Sequence, residues 1–313
     1  MTLEECRRFY AEGIKLAANI NSTPLLKAFA RVPRESFLGP GPWKIPSMCS
    51  GFGQRPTYTE TPDADPRHLY HNLAISLDPT RDLNNGEPVS LAKWIEALAL
   101  KNGDRVYHLG CGVGYYTAII AEVVGARGHV LASEIDPELA ALASKNLAAY
   151  SNVFVQSGNG AMVDPGQRDG IFINAGVTHP HPKWLDSLSE GGRLVLPLTV
   201  NVGMSPNVGS GIMAKFTRVN GGFSAQIVTQ VAIFSCVSMR DAQYEQALRD
   251  AMRAGKLFNM RSLRRDVHEA TDTCLVHGVE ICLSSSEVDS SGAMVNLSAG
   301  HNTSPNLCLL DRT

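Results

Sequence analysis

Asp104-Arg105-Val106-Tyr107-His108-Leu109-Gly110-Cys111-Gly112-Val113-Gly114-Tyr115, followed by Val130-Leu131-Ala132-Ser133-Glu134-Ile135-Asp136, is the stretch that decides how this chain folds. Residues 105–109 have the length and apolar character of a buried strand, and glycines at alternate positions follow at once. Residues 115–124 contain no glycine or proline and predict an apolar helix; residues 130–133 predict a second strand that ends on Glu134. A strand, a glycine turn, a helix and an acidic strand end, in that order, form the arrangement that grips an adenosine-type cofactor. Glycine reaches positive φ without strain and lets the backbone approach a ligand closely. The helix start then presents unpaired N–H groups to that ligand. Glu134 lies about twenty residues further on, where a carboxylate accepts hydrogen bonds from ribose hydroxyls.

The rest of the chain extends this pattern in both directions. Residues 139–150 read as a helix, 153–156 and 170–174 as strands, 182–188 as a short helix and 193–198 as another strand, an alternation that implies a parallel sheet covered on both faces. Residues 212–219 and 223–234 are strand-like and are joined by Asn220-Gly221-Gly222, a hairpin signal. Upstream, residues 1–46 look helical, with Leu25, Leu26, Phe29 and Ala30 on one stripe. Residues 49–84 look like irregular covering loops around a short element at 68–77, and 89–100 like an amphipathic helix. Downstream, 241–254 reads as a charged helix, and 273–283 and 293–297 as β-rich runs. Arg261, Arg264 and Arg265 are close together there, as a solvated face or an anion site. The expected fold is α/β: a Rossmann-like, doubly wound, mostly parallel sheet closed by a C-terminal antiparallel hairpin, with N-terminal helices and a small C-terminal α+β appendage. The expected division is 1–48, 49–236 and 237–313.

Composition narrows the function. A chain of 313 residues with 44% hydrophobic content can bury a full core. A net charge of −2 offers no bulk attraction to nucleic acid or to an anionic membrane. No apolar run is long enough to span a bilayer, and the polar residues 1–10 are no secretory signal, so the expected location is cytoplasmic. Seven cysteines without C-x-x-C pairs indicate neither a disulfide framework nor a metal site.

A dinucleotide fingerprint would need its third glycine at position 115, which is Tyr115. The G-x-G-x-G spacing instead resembles the first motif of class I S-adenosylmethionine methyltransferases. Several further segments resemble the protein-L-isoaspartate O-methyltransferase family. Leu26-Lys27-Ala28-Phe29-Ala30-Arg31-Val32-Pro33-Arg34-Glu35-Ser36-Phe37 is similar to its N-terminal signature, residues 109–114 to its glycine loop, and Gly191-Gly192-Arg193-Leu194-Val195-Leu196-Pro197 to its late strand. Asp169-Gly170-Ile171-Phe172-Ile173-Asn174-Ala175-Gly176 occupies the place of its fourth strand. The likeness covers roughly residues 26–235. It implies S-adenosylmethionine as cofactor, held by Leu109, Gly110, Cys111, Gly112, Gly114, Tyr115, Glu134, Ile135, Gly158, Asn159, Gly160 and Asn174. The family's Gly-Asp-Gly is Gly158-Asn159-Gly160 here; an Asn amide still accepts from an adenine amino group and donates to a ring nitrogen.

One motif departs from the family. Its Ser-x-Pro before the first long helix is Gly86-Glu87-Pro88 here, within Asn84-Asn85-Gly86-Glu87-Pro88, so the active-site serine is missing. A divergent member is therefore expected, forming an ester or ether on a small-molecule or peptide acceptor, with isoaspartyl repair as the alternative. A SAM-binding scaffold without activity and a nicotinamide dehydrogenase are the other readings. The acceptor is expected beyond the strand ends, where residues 84–88, 174–181 and 54–61 could converge. His179, in His179-Pro180-His181-Pro182, is the candidate base or orienting group. Asn84, Asn85 and Glu87 are candidates for a polar edge beside the cofactor's carboxylate or the acceptor, with Asn85 and Glu87 as catalytic candidates, against a plain helix-capping role next to Pro88. The sequence leaves a homo-oligomer open.

Overall fold

The computed structural model describes residues 1–47, 56–203 and 207–288, and the backbone of 294–295. Its centre is a ten-stranded sheet formed by β1 (Arg105–Leu109), β2 (His129–Glu134), β3 (Val153–Ser157), β4 (Arg168–Ile173), β5 (Leu188–Asn201), β6 (Val208–Val219), β7 (Gly222–Phe234), β8 (Ser262–Arg264), β9 (Cys274–His277) and β10 (Cys282–Ser284). The spatial order is β3-β2-β1-β4-β5-β6-β7-β8-β10-β9. Strands β3 to β5 pair in parallel and everything beyond β5 pairs antiparallel. The order reverses at β1, between β2 and β4, the switch point at which open α/β sheets of this kind bind their ligands.

Seven helices flank the sheet among the described residues: α1 (Leu3–Ala18), α2 (Thr23–Arg31), α3 (Pro88–Ala97), α4 (Tyr115–Val124), α5 (Pro137–Asn146), α6 (Pro182–Asp186) and α7 (Ala242–Arg253). Helix α4 buries nine of its ten residues, all but Glu122, because the sheet lies on one side and α2 on the other. A helix covered all round has no reason for a polar face. β1 is buried on both faces as well: Val106 belongs to the core under α1–α4, and Tyr107 and Leu109 to the core under α6 and α7. Its uninterrupted apolar run follows from that double cover. The hairpin between β6 and β7 turns on Asn220 (φ 50°) and Gly221 (φ 78°), the paired left-handed conformations that suit a two-residue connection.

The structure revises several boundaries. Helix α5 begins earlier than the apolar pattern suggests, because Asp136 accepts from the Glu138 and Leu139 amides and Pro137 takes the first helical position. The run at 273–283 is a hairpin, β9 and β10, broken by the turn after His277. Segments 1–48 and 237–313, expected as flanking pieces, share the main cores in their described parts. Tyr10, Ile14 and Phe29 pack with α3 and α4, while Leu248, Leu257 and Leu283 join the core beneath β5 and β6. β8 continues the sheet directly from β7. Arg264 pairs with Asp266 and Arg265 with Asp186, so two of the clustered arginines already have carboxylate partners. Residues 48–55 and most of the expected run at 293–297 lie outside the described residues. Cys274 and Cys282, which no paired-cysteine motif links in the sequence, meet His268 and His277 in one cluster.

Candidate functional site

The glycine loop is tied to the neighbouring strand end by backbone bonds. The amides of Gly110 and Cys111 both donate to Ser133 O, at 2.9 and 3.1 Å. The Gly112 amide donates to Glu134 Oε2 at 2.8 Å, and the Asp136 amide donates to Oε1 at 3.1 Å. Glu134 therefore lies beneath the loop, with its carboxylate held by two amides. Gly158 N–H donates to Glu134 O at 2.8 Å, which brings the turn after β3 to the same corner. Asn174 closes the other side: its amide donates to Leu109 O at 2.8 Å and its Nδ2 to Gly110 O at 3.3 Å.

The glycines fall into two groups. A side chain at Gly112 (φ 55°) or Gly158 (φ 127°) would meet nothing within 4 Å, so these positions border open space at the crevice. At Gly110 a Cβ would lie 3.0 Å from Asn174 O, and at Gly114 it would lie 2.8 Å from Leu147 Cδ1, so here glycine permits close packing. Gly160 belongs with the second group, since a Cβ there would sit 2.2 Å from Ser133 Oγ and 2.7 Å from Tyr107 Oη. Beside the open corner Ile135 is 47% exposed, an apolar surface next to the acid.

Other expected contacts take different roles. The Tyr115 ring is edge-on to Phe29 and Phe37 in the core, so it turns away from the crevice and leaves only its backbone at the helix start. Leu109 and Cys111 are buried, and burial followed by the Glu134 charge drives the Cys111 thiol far up, which keeps it protonated. Asn159 caps a short helical turn by accepting from the Ala161 amide at 3.1 Å, and its Nδ2 donates to Ser238 Oγ at 2.9 Å.

The expected catalytic trio is not brought together. His179 stacks on Tyr244 of α7 at 4.5 Å, and its Nδ1 lies 2.9 Å from Thr178 Oγ1; burial first, opposed by Asp241, lowers its pKa and favours the neutral ring. His181 accepts from the Lys183 amide as the cap of α6, so the two histidines serve different elements. Asn85 turns inward, where Oδ1 accepts from the Ile75 amide at 2.8 Å and from Arg34 at 3.2 Å, while its buried Nδ2 has no partner. Glu87 precedes α3 without capping it and accepts from Asn72 Nδ2 and from Ser90 Oγ at 2.5 Å. At Gly86 (φ 80°) a Cβ would approach Leu91 Cδ2 to 2.9 Å, so a side chain would have to displace the end of that leucine and would be strained by the left-handed backbone.

Two arginines whose task the sequence did not reveal hold this edge together. Arg34, fully buried, donates to Leu69 O and Leu73 O at 2.7 Å each and to His71 O at 3.3 Å. Arg81 pairs with Asp136 at 2.6 Å, linking the covering segment to the strand end that carries Glu134. Arg34 stands in the Val-Pro-Arg stretch and was legible as a motif, though its task was not. Arg81 sits in an irregular loop and carries no signal. Tyr116 Oη donates to Gly86 O at 3.2 Å, which fixes the 83–88 loop against the helix that follows the glycine turn.

Residues 58–238 match the family profile described as protein-L-isoaspartate(D-aspartate) O-methyltransferase. The chain belongs to that family. A protein-L-isoaspartate O-methyltransferase of Archaeoglobus fulgidus is 33% identical over 202 residues, covering 63% of this chain and 82% of the relative. One from Ignicoccus hospitalis is 31% identical over 200 residues, covering 63% and 83%. In fold, the chain is similar to a Plasmodium falciparum structure described as a protein-L-isoaspartate O-methyltransferase in complex with S-adenosyl-L-homocysteine, with a TM-score of 0.53 at 16% identity, covering 74% of this chain and 97% of that one. This member of the isoaspartyl methyltransferase family is a class I, S-adenosylmethionine-dependent enzyme. Its crevice fits the cofactor: open space at Gly112 and Gly158, a held carboxylate at Glu134 and the bare flank of Ile135 meet at one corner. Among the described residues no helix is long and apolar enough to cross a membrane.

Proposed function

We propose that this enzyme methylates a carboxylate borne on a peptide, with the isoaspartyl group as the acceptor to test first. The observation that carries the reading is the family match across residues 58–238, which includes both the glycine crevice and the 83–88 loop beside it. In the proposed arrangement Gly112, Gly158, Glu134 and Ile135 bind the cofactor, Asn174 holds the loop in shape, and Gly110, Gly114 and Gly160 allow the close packing beneath. S-adenosylmethionine supplies a methyl group activated by its sulfonium. The chain's part is alignment of the acceptor and exclusion of water, and positioning of this kind can contribute on the order of 7–11 kcal/mol. A carboxylate is already ionised at neutral pH and needs no base. That agrees with a crevice whose nearby histidines are engaged elsewhere: His179 stacks on Tyr244 and His181 caps α6.

A second reading, a different acceptor on the same scaffold, is favoured by one observation. Gly86 stands where the family's serine is expected, and its φ of 80° is a backbone conformation that a serine would adopt only with strain. Methyl incorporation into paired peptides that differ only in an isoaspartyl or an aspartyl linkage separates the two. Turnover of the isoaspartyl peptide alone is the expected result. Zero turnover by enzyme that still binds S-adenosyl-L-homocysteine would overturn the isoaspartyl reading in favour of the second.

A further inference from the structure

Away from the crevice, the β9–β10 hairpin and the connection that precedes it bring four metal-ligand side chains into one cluster. His268, Cys274, His277 and Cys282 each offer one ligand atom, and these atoms all lie within 4.8 Å of one another. Local structure explains how they meet. His277 is the direct neighbour of Cys282 across the β9–β10 ladder. Cys274 and His277 are three residues apart and would point to opposite faces of a regular strand. The register shifts between Cys274 and Val276, and the extra residue returns both side chains to one side. His268 arrives from the connection between β8 and β9.

The surroundings resemble those of a bound cation. His268 Nδ1 lies 2.8 Å from Asp266 O, so Nδ1 carries the proton and Nε2 is left as the lone-pair donor, 3.5 Å from Cys274 Sγ. A histidine oriented through its other nitrogen by a carbonyl is the usual outer support of a metal ligand. Cys274 Sγ accepts from the Thr271 amide at 3.3 Å and lies 3.4 Å from Thr271 Oγ1. Burial would raise this thiol, but the bonds from Thr271, then those with Cys282 and His268, outweigh it and bring it down to about 6. Cys282 is pushed up to about 12 by burial and by its contact with Cys274.

We propose that His268, Cys274, His277 and Cys282 form a Cys2His2 site for a zinc ion that fastens the 265–273 connection to the β9–β10 hairpin. Zinc bonds of about 2.3 Å to sulfur and about 2.0–2.1 Å to nitrogen give tetrahedral edges of roughly 3.3–3.8 Å, a modest contraction of the cluster. Two thiolates and two neutral imidazoles balance the divalent charge, and binding releases the thiol protons to solvent. Four protein ligands leave no open position, so the ion is structural. Its effect reaches further, because the turn after His277 rests on Tyr244. The Glu280 and Ile281 amides donate to Tyr244 Oη at 3.3 and 3.2 Å, and the other side of that ring stacks on His179. The proposal is independent of which acceptor the enzyme methylates.

Metal analysis of the full-length, reduced protein tests it, with zinc or cobalt as the probe. The expected result is about one zinc per chain and, after exchange, thiolate-to-cobalt charge-transfer absorption with tetrahedral d–d bands. His277→Ala changes the exposed ligand, the substitution the fold tolerates best, and Cys274→Ser removes a sulfur. Both should weaken zinc by more than the roughly 10–100-fold lost with an outer partner, and both should keep S-adenosyl-L-homocysteine binding. Reduced wild-type protein that takes up no zinc and shows no cobalt band would overturn the site. So would undiminished zinc in both variants, or a Cys274–Cys282 disulfide whose reduction restores no metal binding. If both variants fail to fold, the cobalt spectrum of wild-type protein decides alone.

Discussion

At Gly112 an added methyl group meets open space, whereas at Gly160 it would sit 2.2 Å from Ser133 Oγ, so packing demands glycine at the second position and leaves the first free for the proposed contact with the cofactor. Gly112→Val should therefore weaken S-adenosyl-L-homocysteine binding by at least tenfold, about 1.4 kcal/mol, measured by titration calorimetry. Glu134→Ala should do the same, and unchanged affinity in both variants would remove the crevice assignment. Gly160→Ala should instead act on the fold, lowering stability by about 1–3 kcal/mol in thermal melts. His108 supplies a pH dependence. It is buried beside Thr117 and stacked on Phe172, and burial pulls its pKa from 6.5 to about 3. Between those values the unfolded chain binds a proton that the folded chain rejects. The contribution is thus fully present above pH 6.5 and declines as pH falls, by about 1.4 kcal/mol per unit. His108→Leu should flatten the fall in Tm between pH 6.5 and 5; an unaltered slope would show that other groups set it.

Among the elements, the covering segment between α2 and α3 depends most on a single side chain. Arg34 donates to three backbone carbonyls of residues 69–73 and to Asn85, and its guanidinium lies 5.9 Å from the Tyr115 ring centre. A carbonyl left buried without a donor costs about 1–3 kcal/mol. Arg34→Met should cost about 3–5 kcal/mol and expose residues 69–85 to proteolysis before the sheet opens; a cleavage pattern identical to that of the parent would refute this. A family signature at Val32-Pro33-Arg34 thereby acquires a mechanical meaning, since this arginine seats the 83–88 loop beside α4.

In the molecule as a whole, the segment after residue 236 adds β8, β9 and β10 to the same sheet and its apolar side chains to the same core. We propose on that basis that the chain unfolds as one unit. A single calorimetric transition is expected, and truncation after residue 238 should strip β8 from the outer edge of β7 and leave the core beneath β5 and β6 uncovered, giving insoluble protein. Two separate transitions in the full chain, or a soluble, cooperatively folded truncation, would establish an independent C-terminal domain.

The sequence alone determined the strand–glycine–helix unit, the acid at position 134, the parallel alternation and the hairpin at Asn220-Gly221. Each is a local pattern set by backbone conformation or by a repeating burial period, so neighbouring residues suffice to reveal it. Only the tertiary structure decided which glycines face open space, that Tyr115 points into the core, that Asn85 turns inward and that His179 belongs to Tyr244. It also decided the meeting of His268, Cys274, His277 and Cys282, whose H-x5-C-x2-H-x4-C spacing follows no paired-cysteine pattern. These outcomes depend on a strand bulge and on contacts between residues far apart in the chain, and neither leaves a periodic mark on the residues involved.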